Sequence, residues 1–166
     1  FSYPNVLFAA LLVFLGVRLF KQENIKYARQ IEEQKESLAE KNQEITDSIN
    51  YAKRIQSALI PSEQEFNSFF KDSFVFFKPK DIVSGDFFSF FRQNNSAIIA
   101  AADCTGHGVT GAFLSVIGNS LLNKLINEKK LNVPAEILDN LNEEIIGVLN
   151  QRINESNDGM DIAVCN

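Results

Sequence analysis

The junction at Asp103 constrains this chain more than any other feature. The run Ser96-Ala97-Ile98-Ile99-Ala100-Ala101-Ala102 is apolar and strand-like, and it ends on that carboxylate. Cys104-Thr105-Gly106-His107-Gly108-Val109-Thr110-Gly111 follows, with glycines at 106, 108 and 111, and then an apolar helical pattern. A buried strand that stops on an acid beside a glycine-rich turn leaves the carboxylate where backbone and ligand can come close. A second acid stands in a similar setting upstream. In Lys80-Asp81-Ile82-Val83-Ser84-Gly85-Asp86-Phe87-Phe88, Asp86 follows a glycine and precedes an aromatic strand-like run. Two carboxylates at strand ends next to glycine suit a hard divalent cation.

The pattern around these segments is globular. Residues 74–77 (Phe-Val-Phe-Phe) predict a first strand. Residues 86–92 predict a strand buried on both faces, because they alternate too little for a half-exposed one. Residues 93–96 predict a turn and 96–103 the next strand. Residues 109–127 predict a helix with Ala112, Phe113, Val116, Ile117, Leu121, Leu122 and Leu125 on its apolar side. Pro134 opens a second amphipathic helix carrying Ile137, Leu138, Leu141, Ile145, Ile146, Leu149 and Ile153. Asn157-Asp158-Gly159 predicts a turn and 160–165 a last strand. The order is β-hairpin, two helices, β-strand. Thr105 and Thr110 are read as turn and N-cap residues.

Upstream of residue 62 the character differs. Residues 4–20 are nearly all apolar, long enough for a bilayer core that needs about 17–25 residues. Arg18, Lys21, Lys26 and Arg29 fall within or after this stretch, which predicts a transmembrane helix with its C-terminal side in the cytoplasm. A buried helix or signal fragment is the alternative. Residues 21–60 are polar and lack Gly and Pro until Pro61, and Ile31, Leu38, Ile45, Ala52 and Leu59 recur every seventh residue. Ala28, Ile49 and Ile55 supply part of a second seam, weakened by Gln34, Lys35, Lys41 and Asn42. This predicts a long helix that pairs as a modest parallel coiled-coil dimer, with a lone solvated helix as the alternative. Pro61 is expected to stop it. Three parts result: a transmembrane helix at 1–20, a coiled-coil signalling helix at 21–61 and a catalytic-type domain at 62–166.

The net charge of −5 argues against nucleic acid as a partner. Cys104 and Cys165 stand far apart with no CxxC pattern, and read as free thiols of a reducing compartment.

The ordered motifs resemble those of metal-dependent PPM-type serine/threonine phosphatases, in the branch named after stage II sporulation protein E. The resemblance rests on Ile55-Gln56-Ser57-Ala58-Leu59-Ile60-Pro61, Phe77-Lys78-Pro79, Val83-Ser84-Gly85-Asp86-Phe87, Asp103-Cys104-Thr105-Gly106-His107-Gly108 and Asp158-Gly159-Met160-Asp161-Ile162-Ala163. It covers roughly residues 50–166. It implies an α/β fold, an antiparallel β-sheet sandwich flanked by helices, of which the chain holds the N-terminal half. It implies two Mn²⁺ or Mg²⁺ ions, with Asp103 bridging both, Asp86 ligating one directly or through water, and the backbone carbonyl of Cys104 as a main-chain ligand. Two such ions lower the pKa of a bound water, so no covalent phosphoenzyme is required. The family's later aspartates are not matched, so this polypeptide is expected to be inactive alone. His107, the sole histidine, reads as a structural residue or one supporting the ligands, with general acid as the alternative. Asp161 falls outside the implied metal set, and Lys78 and Lys80 stand where phosphate contact is conceivable.

The functional expectation is a phosphatase tethered to the cell inner membrane by a single or last pass, its catalytic part cytoplasmic. It acts on a phosphorylated regulatory protein, of which an anti-sigma-factor antagonist is one type, and forms a homodimer through the coiled coil. The alternative is a non-catalytic phosphatase-like signalling scaffold. A histidine-kinase receptor is excluded because the helical stalk has no histidine. No P-loop-type phosphate loop supports a cyclase reading.

Overall fold

The computed structural model describes residues 3–93, 95–154 and 157–166. Phe1 and Ser2 of the expected membrane span, and Asn94 of the expected turn, lie outside the described residues. The chain divides into two compact units, Phe1–Asp47 and Ser48–Asn166.

Helix α1 runs from Tyr3 to Ser57 without a break, so the expected span and stalk are one helix. It ends before Pro61, with residues 58–60 forming a turn. In the first unit its apolar side chains, among them Leu7, Leu11, Phe14 and Phe20, are exposed, as are Ile31, Leu38 and Ile45 of the seven-residue repeat. Among the described residues one helical stretch, Gly108–Glu128, is long and apolar enough to cross a membrane. Half of it is buried inside the second unit, where it is a core helix.

The second unit is α/β. Helix α2 (Glu63–Phe69) opens on a capping box: the Ser62 hydroxyl accepts from the Glu65 N–H, and the Glu65 carboxylate accepts from the Ser62 N–H. Strands β1 (Phe87–Gln93), β2 (Ser96–Cys104) and β3 (Met160–Cys165) form one antiparallel sheet in the order β1-β2-β3. The register pairs Phe88 with Ala101 and Ala101 with Ala163. Between β2 and β3 lie α3 (Gly108–Asn123), a π-helical turn (Lys124–Glu128), α4 (Pro134–Val148) and the short α5 (Gln151–Asn154). The expected hairpin, helix pair and last strand are therefore present. A single three-stranded sheet is seen among the described residues, and no second layer of the expected sandwich is seen among them.

Period-two alternation decides which face of the sheet is buried. Phe87, Phe91, Ile98, Ala100, Ala102 and Cys104 point to the helices and meet Leu114, Leu121, Leu122, Leu125, Ile126, Ile137, Leu141 and Ile145. Gly118 lets α3 approach closely, since a Cβ there would lie 3.0 Å from the Phe87 ring and 2.6 Å from Met160 Cε. The other face of β1 is half-covered by aromatics. Phe66 lies 5.8 Å from Phe88 and 4.8 Å from Phe90, and Phe77 lies 5.7 Å from Phe88, ring to ring. The strand expected to be buried on both faces is thus enclosed by helices on one side and half-covered by aromatics on the other.

Three expectations need correction. Residues 74–77 are not a strand: no neighbouring backbone pairs with them among the described residues, and Phe74 and Phe76 are exposed. Phe113 is 67% exposed, because the buried face of α3 runs through Gly111, Leu114, Ser115, Gly118, Leu121 and Leu122. The second helix stops at Val148, and Asn150, at φ 51°, separates it from α5.

Leu122 has no exposed surface. Leu122→Ala is expected to lower the unfolding free energy by about 2–5 kcal/mol in urea denaturation, and Phe113→Ala by far less.

Candidate metal centre

Three backbone contacts bring the two acidic motifs together. Gly85, Gly106 and Gly111 meet where the loop before β1 crosses the turn after β2. A Cβ on Gly85 would lie 3.0 Å from the Gly106 carbonyl oxygen and 3.2 Å from that of Cys104. A Cβ on Gly111 would lie 2.7 Å from the Gly106 oxygen and 2.9 Å from Gly85 Cα. Real Cβ atoms do not come as close to backbone as one on Gly111 would, so only glycine fits there, while a Cβ on Gly85 would force the backbone to give by a few tenths of an ångström. Gly106 and Gly108 also sit at φ 84° and 62°, which a side chain would strain. Thr105 ties the turn to the loop before β3: its N–H donates to the Gly159 carbonyl, and its hydroxyl accepts from the Gly159 N–H. The N-cap of α3 is His107, not Thr110, whose hydroxyl donates to the His107 carbonyl.

The last turn of α1 holds the other loop. Gln56 is 6% exposed. Its Nε2 donates to the Ser84 carbonyl at 2.6 Å and to Ser115 Oγ at 2.7 Å, while the Ser84 N–H donates to Oε1 at 3.0 Å. One side chain thus satisfies both backbone groups of a buried residue. Ser84 Oγ in turn accepts from the Asp86 N–H at 3.1 Å. This chain of bonds fixes the backbone that carries Asp86.

Asp86 and Asp103 therefore stand side by side. They line an open cleft of about 700 Å³ together with Lys78, Phe76, Phe77 and Asp161. The Asp86 carboxyl is held above its usual range, first by desolvation, then by a hydrogen bond with Asp103 and by the negative charge of Asp103. The Cys104 thiol is pushed up to about 12 by burial and then by the charges of Asp103 and Asp86. It is neutral at physiological pH, which leaves the backbone carbonyl as the oxygen Cys104 offers. Cys104 and Cys165 are both free thiols.

This donor set fits a divalent cation. Two carboxylates side by side, with carbonyl oxygens at the same junction, form a cluster of hard oxygens with an electrostatic deficit that a cation relieves. Among the described residues no set of three or more His, Cys, Asp and Glu side chains converges closely enough to hold an ion. Two carboxylates suit Mg²⁺ or Mn²⁺, because Mg²⁺ keeps waters and takes further oxygens from bound phosphate.

The sequence reading missed Gln56 and the partner role of Asp161. The signal for Gln56 was a lone amide in the apolar helix end Ile55–Ile60. Asp161 sits directly across the β2–β3 ladder from Asp103, an arrangement that costs stability unless something offsets the like charges.

No family model matches the chain. No curated protein matches it either. Among solved structures, the SiaA-PP2C domain of Pseudomonas aeruginosa is similar, at 28% identity and a TM-score of 0.64, over 74% of this chain and 48% of that one. The chain thus spans about half the length of that structure. It has the PPM-type phosphatase fold.

The raised Asp86 carboxyl makes a stability prediction. In metal-free protein the folded state binds this proton more tightly than the unfolded chain does. That contribution is complete below the ordinary carboxylate pKa and is lost as pH rises through the folded value. Asp86→Asn should therefore melt at a higher temperature than the unaltered protein at pH 7 in EDTA, with the gap closing below about pH 4. Equal melting temperatures at pH 7 would contradict the assigned environment.

Proposed function

We propose that this chain belongs to a metal-dependent protein serine/threonine phosphatase of the stage II sporulation E-like branch. The observation that carries the reading is the pairing of Asp86 with Asp103 across a glycine junction in a PPM-type fold. Asp86, Asp103 and the Cys104 carbonyl are the groups that would hold Mn²⁺ or Mg²⁺. When bound, two such ions supply charge neutralisation at phosphate and a water acidic enough to attack at neutral pH.

The chain's own residues do the rest. Lys78, in the same cleft, would give a phosphoryl dianion a positive partner beside the carboxylates. Gln56 keeps the Asp86 backbone in place, so the carboxylate need not be ordered when substrate arrives. Phe76 and Phe77 give the cleft an apolar wall against which the peptide part of a phosphoprotein packs.

The wider reading follows the sequence. The exposed apolar residues of α1 before Lys21, with Arg18, Lys21, Lys26 and Arg29 within and after them, support a span in the cell inner membrane with the catalytic part in the cytoplasm. The exposed Ile31, Leu38 and Ile45 support a homodimeric coiled coil. A second sheet completing the sandwich would cover the open face of Ala101 and Ala163. The substrate class is a phosphorylated regulatory protein. One observation favours the second reading, a phosphatase-like scaffold: among the described residues no three acidic side chains converge closely enough to hold an ion.

Asp103→Asn in the full-length protein is expected to abolish release of phosphate from a phosphoserine peptide and to weaken Mn²⁺ binding in calorimetry, because an amide lacks the charge that two dications need. Asp86→Asn should lose less. Near-normal turnover by Asp103→Asn would overturn the assignment. Mn²⁺ binding without turnover by the unaltered protein would establish the scaffold.

A further inference from the structure

Asparagine recurs along one row of α3 and the turn that follows it, at Asn119, Asn123 and Asn127. The three line an open groove of about 440 Å³ between the turn after α1, strand β1 and α3. It shares no lining residue with the cleft of Asp86 and Asp103. The first rung is anchored: Asn119 Nδ2 donates to Oγ of the buried Ser89 at 2.9 Å and to the Leu59 carbonyl at 3.4 Å. The other two rungs brace each other, Asn127 Nδ2 donating to Asn123 Oδ1 at 2.7 Å. These bonds leave Asn119 Oδ1, Asn123 Nδ2 and Asn127 Oδ1 without a partner among the described residues, in the order acceptor, donor, acceptor. The helix itself changes here. An α-helix turns about 100° per residue, so rungs four residues apart drift by about 40° at each step. The π-helical turn Lys124–Glu128, closed by the Lys129 N–H donating to the Lys124 carbonyl at 2.9 Å, turns less per residue and offsets that drift between Asn123 and Asn127. Such turns are rare and are frequent at functional sites.

We infer that this asparagine ladder is a docking site for an extended, basic peptide segment of a partner protein, gripped by its backbone. One edge of an extended chain presents an N–H and C=O pair at every second residue, about 6.6 Å apart. Rungs four residues apart on a helix are separated by about 6 Å. The two repeats match closely enough for three rungs to meet three such pairs. Asn119 Oδ1 and Asn127 Oδ1 accept peptide N–H groups, and Asn123 Nδ2 donates to a peptide carbonyl. Amides carry no charge and read backbone alone, so the groove walls set the preference for a partner. Glu65 is the one charged side chain among the lining residues, and its Oε2 is held by the Ser62 N–H at 2.9 Å. It favours a lysine or arginine in the segment. Leu59, Pro61 and Phe90 add apolar surface for the segment's other side chains. The inference uses no residue of the metal centre and does not rest on the phosphatase reading.

The probe is a fluorescein-labelled heptapeptide of alternating valine and threonine with a lysine at each end, titrated with the full-length protein and followed by fluorescence anisotropy. Saturable binding is expected. The same peptide with its internal amides N-methylated keeps every side chain but loses the N–H donors, and should bind at least tenfold more weakly. Asn123 and Asn127 are exposed and bonded to each other, so the double variant Asn123→Ala, Asn127→Ala should fold, as circular dichroism can verify. It should bind the peptide about tenfold more weakly, the scale of two lost hydrogen bonds. Glu65→Gln, which retains the capping box, should weaken binding and flatten its dependence on salt. Absence of binding by the unaltered protein overturns the inference, because backbone recognition with a basic flank asks nothing more of the probe. Binding that is indifferent to N-methylation, or undiminished in the folded double variant, overturns it as well.

Discussion

Everything distinctive about the second unit depends on backbone meeting backbone at Gly85, Gly106 and Gly111. Strand β2 delivers Asp103 to the sheet end, and the loop before β1 delivers Asp86. The sheet register aims them at each other: Phe87, the first residue of β1, pairs with Ala102, so one step further along the antiparallel register Asp86 falls opposite Asp103. The crossing holds the loop that carries Asp86 against the turn after β2. It does so without side chains, at distances where a Cβ on Gly111 would overlap a carbonyl oxygen and a Cα and one on Gly85 would crowd two carbonyl oxygens. The contact is dense, and a dense contact admits few alternative arrangements.

Placing two carboxylates at such a contact works against folding. Asp86 is raised by desolvation and by Asp103, and Asp161 adds a third negative group opposite Asp103. The fold offsets this with neutral hydrogen bonds that are well satisfied. Gln56 closes both backbone groups of Ser84, Asn119 Nδ2 donates to Ser89 Oγ at 2.9 Å, and no buried side-chain nitrogen or oxygen lacks a partner among the described residues. A site that is strained electrostatically within a satisfied frame is the pattern expected where function sets the residue types.

Much of this was legible from pattern alone. Apolar runs ending on turn residues located β1, β2, β3 and both core helices, and glycine beside aspartate marked the two acids that share the cleft. What escaped depended on tertiary partners. Residues 74–77 have strand composition, but a strand needs a neighbour to bond. Phe113 has the hydrophobicity of a core residue, yet α3 buries the face of Leu114, Gly118, Leu121 and Leu122, where Gly118 admits the Phe87 ring. Thr110 has N-cap chemistry, but the turn starts the helix three residues earlier, at His107. Gln56 left no periodic trace, since it acts through Ser84 and Ser115, both distant in sequence.

The central claim is that the glycine-mediated contact of the two loops, added to the β1–β2 register, makes Asp86 and Asp103 a candidate metal centre. Calorimetric titration of Mn²⁺ into Gly111→Ala tests it most directly, because that variant keeps Asp86, Asp103 and Cys104 and changes only the approach of the two loops. A folded Gly111→Ala protein, verified by circular dichroism, should bind Mn²⁺ at least tenfold more weakly than the unaltered protein, a loss of about 1.4 kcal/mol. Undiminished Mn²⁺ affinity in that folded variant would contradict the account.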